Sequence, residues 1–361
     1  MQEIKKAGKN FSRPFIRWAA IVLFLLFLPA CATSPEKKVD MIWPLPPETP
    51  RIKFVKTIDS AEEVDKESFG KSVLGFLVGK DPTAHLQKPY GVHYDGQDRL
   101  FVADSAWKKI LMLDYKKKDF RILGLDGPGV LTKPMGVTTD AAGRIYVSDT
   151  YGQRVVVFDS DGKFLLAMGG KDFLEEPVGI AVNDSLKRVY VVDTRKHHIA
   201  VFDFEGKFLF TIGGRGLGDG EFNYPTNIAI GPSGKTYVTD TMNFRIQIFD
   251  SDGHFLSKFG SIGKGFGQFS KPKGIGVDSD GHIYVVDAAF NNVQIFDEQG
   301  QLLLYFGEFG TREGELYLPA GLWIDKNDRI YVADQYNKRV EVFQYLKEQV
   351  KTDAKPVQEK N

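Results

Sequence analysis

The side chains able to do chemistry are few and dispersed. Of six histidines in 361 residues, only His93 and the adjacent pair His197-His198 fall on plausible strand or turn elements, while His254 and His282 each follow a turn glycine. Zinc catalysis needs about three protein ligands and one open position, held in a recognisable spacing. That spacing is missing. Asp-Ser-Asp-Gly occurs at Asp159, Asp250 and Asp278, but the further oxygen ligands of a calcium loop do not follow, so these segments read as hairpin turns. The other conspicuous acids, Asp104, Asp149, Asp193, Asp240, Asp287 and Asp334, recur in equivalent contexts. A residue repeated in every unit caps structure, whereas a functional site on a repeated scaffold breaks the pattern. The breaks are therefore the candidates. His93 stands where the other copies have Thr138, Ala181, Ala229, Gly276 and Trp323; Asn227 stands where the others have glycine; His197-His198 has no counterpart.

The elements that position these residues come from one pattern repeated six times: KPYGVHYDGQDRLFVAD, KPMGVTTDAAGRIYVSD, EPVGIAVNDSLKRVYVVD, YPTNIAIGPSGKTYVTD, KPKGIGVDSDGHIYVVD and LPAGLWIDKNDRIYVAD. The aligned prolines are Pro89, Pro134, Pro177, Pro225, Pro272 and Pro319, and the closing acids are spaced by 45, 44, 47, 47 and 47 residues. A period in this range fits propeller blades or two-helix solenoids. Each unit holds four β-type runs separated by turn chemistry, as in NIAI, KTYVTD, RIQIFD and HFLSKFG between Asn227 and Gly260, and no run keeps helical spacing for long enough. Apolar residues of both parities mean that both faces of each sheet are covered. The expected fold is all-β: a six-bladed β-propeller of four-stranded antiparallel blades.

The sixth unit stops after Val340-Glu341-Val342-Phe343 without a fourth strand. Arg51 to Ile58 alternates polar and apolar residues and supplies the missing strand, closing the ring with the early part of the chain. Ile42-Trp43-Pro44-Leu45-Pro46-Pro47 is stiffened by its prolines and is expected to lie across a surface, outside any sheet. Residues 61–79 suit a helix on the body, within an insertion spanning 61–85 that returns the chain to the centre.

In such a ring the loops after each closing Asp surround one channel mouth. They present Trp107, Tyr151, Arg195, His197, Phe244, Phe290 and Tyr336, together with Lys108, Lys109, His198 and Lys338. This aromatic and cationic surface suits an acidic peptide, a glycan or a lipid headgroup. Arg154, Arg245 and Arg339 recur at the fifth position after the acid and read as structural. His93 and Asn227 are channel candidates. No catalytic residue, cofactor or metal ligand is assigned.

The first thirty residues differ from the rest: Lys5, Lys6, Lys9, Arg13 and Arg17 precede an apolar run from Trp18 to Leu28. This is the pattern of an export signal. The following Leu28-Pro29-Ala30-Cys31 resembles the bacterial lipobox, which implies diacylglycerol on Cys31, the single cysteine of the chain; Pro29 departs from the usual lipobox residue. Ala32 after the cysteine implies, by the same resemblance, transfer to the outer membrane. Without residues 1–30 the chain has 42 Lys and Arg against 46 Asp and Glu, a net charge of −4 that offers no drive toward nucleic acid. The expected organisation is a lipoprotein signal peptide over 1–30, a lipidated cysteine and Pro-rich tether over 31–50, the propeller over 51–346 with repeats from 86, and a polar tail over 347–361.

The Pro-x-Gly, Tyr-Val-x-Asp and Arg-Ile-Gln-Ile-Phe-Asp-x-Asp-Gly stretches, clearest at Tyr237 to Gly253, resemble NHL repeats. With the leader and the Trp43-Pro44 segment, the whole resembles bacterial six-bladed NHL lipoproteins, a group mostly without assigned activity. The resemblance adds little about chemistry; an anchored, rigid disc with an uneven aromatic ring and no catalytic constellation leads to the expectation of a non-catalytic binding or scaffolding module facing the periplasm, membrane-bound through its lipid, with a protein or envelope polymer as partner. The alternative is a metal-dependent lyase or hydrolase with zinc or calcium in the channel, similar to the peptidyl-amidoglycolate lyases, whose channel histidines hold zinc.

Overall fold

The computed structural model describes residues 41–64 and 84–347. The signal peptide, Cys31, the tether up to residue 40, residues 65–83 of the insertion and the tail from 348 lie outside the described residues. Six antiparallel sheets follow one another, each entered by its inner strand. Blade 1 runs through Pro89–Tyr94, Arg99–Asp104, Lys109–Asp114 and Asp119–Leu123. Blade 4, the most regular copy, runs through Pro225–Ile230, Thr236–Asp240, Arg245–Phe249 and Phe255–Phe259. Strands two and three of blade 1 are buried along their whole length, while the outer strand of blade 4 is half-buried to exposed. Both faces of each sheet are therefore used, and apolar layers lie between consecutive blades. Ile110, Leu131 and Val147 join blades 1 and 2, and Ile58, Leu100 and Val340 join blades 6 and 1.

The inner strands of successive blades lie side by side around the axis, the last beside the first. Their glycines explain the Pro-x-Gly signature. A β-carbon on Gly321 would meet the Tyr90 carbonyl oxygen at 2.2 Å, and one on Gly91 would meet that of Met135 at 2.3 Å. No rotamer relieves a clash of backbone against a β-carbon, so these positions require glycine for close approach, whatever their φ.

The recurring acids are wholly buried and tie each blade together. Asp104 accepts the Gln87 and Lys88 amides, Asp193 those of Glu175 and Glu176, and Asp334 that of Tyr317 at 2.7 Å. Each thus secures the loop that leads into its own inner strand. Arg245 and Arg339 extend the device, pairing with Asp240 at 2.8 Å and Asp334 at 3.0 Å while their other nitrogens bond loop carbonyls.

Closure follows the expectation for Arg51 to Ile58. The strand Ile52–Ile58 (β2) pairs antiparallel with Arg339–Tyr345, setting Phe54 against Phe343 and Thr57 against Glu341. One detail corrects the sequence reading: Ile42–Trp43 (β1) enters the sheet, pairing Ile42 with Lys53 and Trp43 with Ile52, so blade 6 has five strands. Proline favours an extended residue before it, which leaves Trp43 free to pair. The Trp43 ring then gains aromatic partners, 6.0 Å from Phe306 and 5.7 Å from Phe343. Of the insertion, residues 61–64 and 84–85 are described, and Ala61–Glu63 form a 3₁₀ turn. A bridge between Ser60 and His85 brings its two ends together, so residues 86–88 carry the chain to the first inner strand.

Glu341 is fully buried at this seam, where Gln247 and Gln294 occupy the same place in blades 4 and 5. Burial pushes its carboxyl up to about 7, against the hydrogen bond from Thr57 and the charge of Arg339. Between about pH 4.5 and 7 the folded chain keeps a proton that the unfolded chain has released. The stability this group contributes is thus fully present below that window and lost as pH rises through it. Glu341→Gln, which copies blades 4 and 5 and still accepts from Thr57, is expected to raise the urea midpoint at mildly alkaline pH and to flatten its fall across that window. An unchanged pH profile in urea titrations would show that Glu341 does not control the seam.

Candidate functional site

Within a blade the closing-acid loops and the loops before each proline share one end, and the turns between first and second strands share the other. The channel therefore has two mouths of different chemistry. At the closing-acid mouth the residues after each proline are Tyr90, Met135, Val178, Thr226, Lys273 and Ala320. Tyr90, Met135, Val178 and Ala320 pack on one another across the axis, closing the channel just inside. Beneath them a space of about 30 Å³, lined in part by Asn227, has room for about one water molecule. The Asn227 Oδ1 accepts the amide of Ile228 at 2.9 Å.

Lysines gather around this plug. The Lys273 ammonium lies 5.5 Å from the Tyr90 ring centre and has no carboxylate in salt-bridge range among the described residues. Burial, then the charges of Lys271 and Lys88, lower its pKa to about 8. Lys88 stands 6.0 Å from the ring of Tyr336, and Lys133 lies 4.6 Å from that of Tyr151. On blade 3 the sign reverses: Glu175 and Glu176 lie 3.5 and 3.4 Å from Arg195. The positive sector spans blades 5, 1 and 2. Sequence reasoning missed it, although Lys-Pro opens three of the six repeats and was there to be read.

The expected face residues take different places around the mouth. Tyr151 and Tyr336 are the open aromatics, 72% and 51% exposed. Trp107 and Phe290 are half-buried, and Phe244 packs against the apolar layer between blades 4 and 5. Among the described residues none of these five rings stacks on another. Lys109 is fully buried and donates to the His85 carbonyl oxygen at 3.2 Å.

His197 has a structural account. With Lys108, Gln153, Phe244, Asn291 and Lys338 it occupies the fourth position after a closing acid, where every blade turns through positive φ. Its Nδ1 accepts the Tyr224 amide at 3.1 Å, just as Asn291 Oδ1 accepts the Leu318 amide at 2.8 Å. His198 sits where blades 4 and 6 have Arg245 and Arg339, and burial lowers its pKa. His93 lies at the other mouth, away from both. The histidines that a channel zinc would need are thus not brought together, and no group of three or more His, Cys, Asp or Glu side chains converges on a metal-sized site among the described residues.

Comparison with known proteins agrees with this architecture. Residues 175–352 match, in three overlapping stretches, a family described as a 6-bladed beta-propeller, and residues 131–158 match the NHL repeat. The chain is a six-bladed propeller bearing NHL-repeat sequence. No curated protein matches it. Among solved structures, a structural genomics protein of unknown function from Bacteroides thetaiotaomicron aligns with TM-score 0.60 and 16% identity, over 81% of this chain and 75% of that one. Virginiamycin B lyase from Staphylococcus aureus gives 0.55 and 14%, over 72% and 96%. A gluconolactonase from Xanthomonas campestris gives 0.55 and 17%, over 72% and 87%. At these identities the likeness is one of fold, and the propeller's own side chains must carry any functional reading.

The shared role of His197 and Asn291 has a direct check. His197→Asn is expected to leave the thermal midpoint nearly unchanged, because asparagine tolerates positive φ and offers the same acceptor. His197→Ala is expected to cost about 1–3 kcal/mol by leaving the Tyr224 amide unmet. Equal losses in both variants, measured by urea denaturation, would contradict that assignment.

Proposed function

We propose that this NHL-repeat propeller is a non-catalytic binding or scaffolding module of the cell envelope, lipid-anchored at Cys31 to the outer membrane and facing the periplasm. Its closing-acid mouth receives an acidic group of a protein or envelope polymer. The observation that carries this reading is Lys273, held between the Tyr90 ring and two further lysines without a carboxylate partner. A partly desolvated ammonium with like charges beside it is unfavourable alone, and an anion placed over it relieves both costs. Lys88, Lys133 and Lys271 supply further donors, and open aromatic area comes from Tyr336 beside Lys88 and Tyr151 beside Lys133. The plug formed by Tyr90, Met135, Val178 and Ala320 keeps such a partner on the mouth and out of the channel.

Two outcomes are expected. In affinity isolation from native envelopes, the Lys88→Ala/Lys273→Ala variant loses the partner that the unaltered chain retains, and a glutamate-rich peptide binds it at least about tenfold more weakly by calorimetry. Equal recovery and equal affinity would remove the lysine mouth from the function. Separately, Cys31→Ser is expected to move the protein from the membrane to the soluble envelope fraction and to abolish incorporation of labelled fatty acid. Persistent labelling in that variant would place the lipid elsewhere.

A further inference from the structure

The opposite mouth of the channel holds a second site, built by a departure from the repeat. Blades 1 and 6, neighbours across the ring closure, carry His93 and Trp323 at a position where blades 2 to 5 have Thr138, Ala181, Ala229 and Gly276. Two rings facing small residues leave a cavity of about 280 Å³, bounded by His93 and Trp323 on one side and by Thr138, Ala181 and Ile230 on the other. That volume lies near the lower end of small-molecule sites, about 300–1,000 Å³, and suits one ring-sized ligand.

The polar groups narrow the chemistry. His93 is only 3% exposed, and its ring centre lies 4.2 Å from that of Trp323. Its Nε2 is 2.8 Å from Thr139 Oγ1, whereas its Nδ1 is buried without a hydrogen-bond partner. A buried polar atom left unmet is costly, and a ligand hydroxyl that met this nitrogen after a small turn of the ring toward the cavity would remove that cost. Trp323 has already committed its Nε1 to the Tyr94 carbonyl oxygen at 3.0 Å and offers the cavity its ring alone. The acids lining the cavity serve the turns, Asp184 by accepting the Ala141 amide at 2.8 Å, and at the rim Asp184 and Lys326 are exposed charges of opposite sign. Asp95 and Asp140 are paired with Arg99 and Arg144, and Asp325 accepts two amides and the Tyr331 hydroxyl. Burial lowers the His93 pKa to about 3, which keeps the imidazole neutral.

We propose that this mouth binds a small neutral hydroxylated ligand, a single sugar or polyol ring, set against Trp323 and hydrogen-bonded to His93 Nδ1. A hydroxyl both donates and accepts, so it satisfies that nitrogen in either tautomer. The site stands apart from the lysine mouth, because the Tyr90 plug lies between them.

The test is saturation-transfer NMR on the purified propeller with glucose, galactose, N-acetylglucosamine and myo-inositol, and with ethanolamine and acetate as charged controls. At least one neutral ring is expected to receive saturation at tens of millimolar. His93→Phe, which keeps an aromatic ring and removes both nitrogens, is expected to weaken that binding about tenfold. Ala181→Trp, which fills the cavity from blade 3, should abolish it; if that variant does not fold, Thr138→Leu provides the same obstruction. Lys88→Ala/Lys273→Ala should leave the binding intact. Silence from all four neutral probes, binding of ethanolamine alone, or full affinity in His93→Phe would overturn the proposal.

Discussion

The inner strands stand so close around the axis that a single added β-carbon at Gly91, Gly136, Gly274 or Gly321 would press into the backbone of the next blade at 2.2 to 2.5 Å. This spacing sets the width of the channel. It also explains why side chains of moderate size, Tyr90, Met135, Val178 and Ala320, suffice to close it. Once closed, the channel becomes two shallow mouths, and each can carry its own chemistry without a path between them. Asn227 is the exception among the glycines; its side chain turns back onto the Ile228 amide, while its own Cα lies 2.7 Å from where a β-carbon on Gly179 would stand. The close approach persists at that seam with the glycine on one side only.

The same economy of space governs the loops. Each closing acid is wholly buried and accepts amides from the segment leading to its own inner strand, so the loops around the lysine mouth are held from below by structural carboxylates. Burial raises the pKa of Asp240 and Asp334, while the bonds from neighbouring amides and arginines oppose that shift. A carboxylate so fully engaged has no capacity left for a substrate. That is the physical reason acids such as Asp240 and Asp334 read as loop anchors.

Most of the architecture was legible because the repeat writes local and long-range constraints into the same short motif. The prolines mark inner strands, the glycines mark blade contacts, the acids mark loop anchors, and the missing fourth strand after Phe343 called for Phe54 and its neighbours. Trp43 was misread because proline restriction was weighed and the apolar partners Phe306 and Phe343, which lie hundreds of residues away, were not visible. His197 looked singular because its side chain is unlike its counterparts, although its backbone conformation and its acceptor role match those of Asn291. The lysine mouth and the His93 cavity depend on which blades become neighbours after closure. No window of adjacent residues shows that blades 5 and 6 come round to stand beside blades 1 and 2.

Variation among the blades is concentrated where the channel is open, and position alone does not separate drift from function. A channel-facing residue escapes the packing demands of the interblade layers, so differences there are expected even without selection for binding. Drift, however, tends to leave polar groups solvated or paired, since a desolvated unmet group destabilises the fold. Thr226, at the same ring position as Lys273, shares a hydrogen bond with Thr241, and Trp323, at the same position as His93, bonds the Tyr94 carbonyl. Lys273 and His93 differ from these in one respect: each is drawn out of water without a matching group, one as a cation and the other as a neutral nitrogen. The proposed anion site and the proposed hydroxyl site thus rest on the same kind of observation, a desolvated group left without its match.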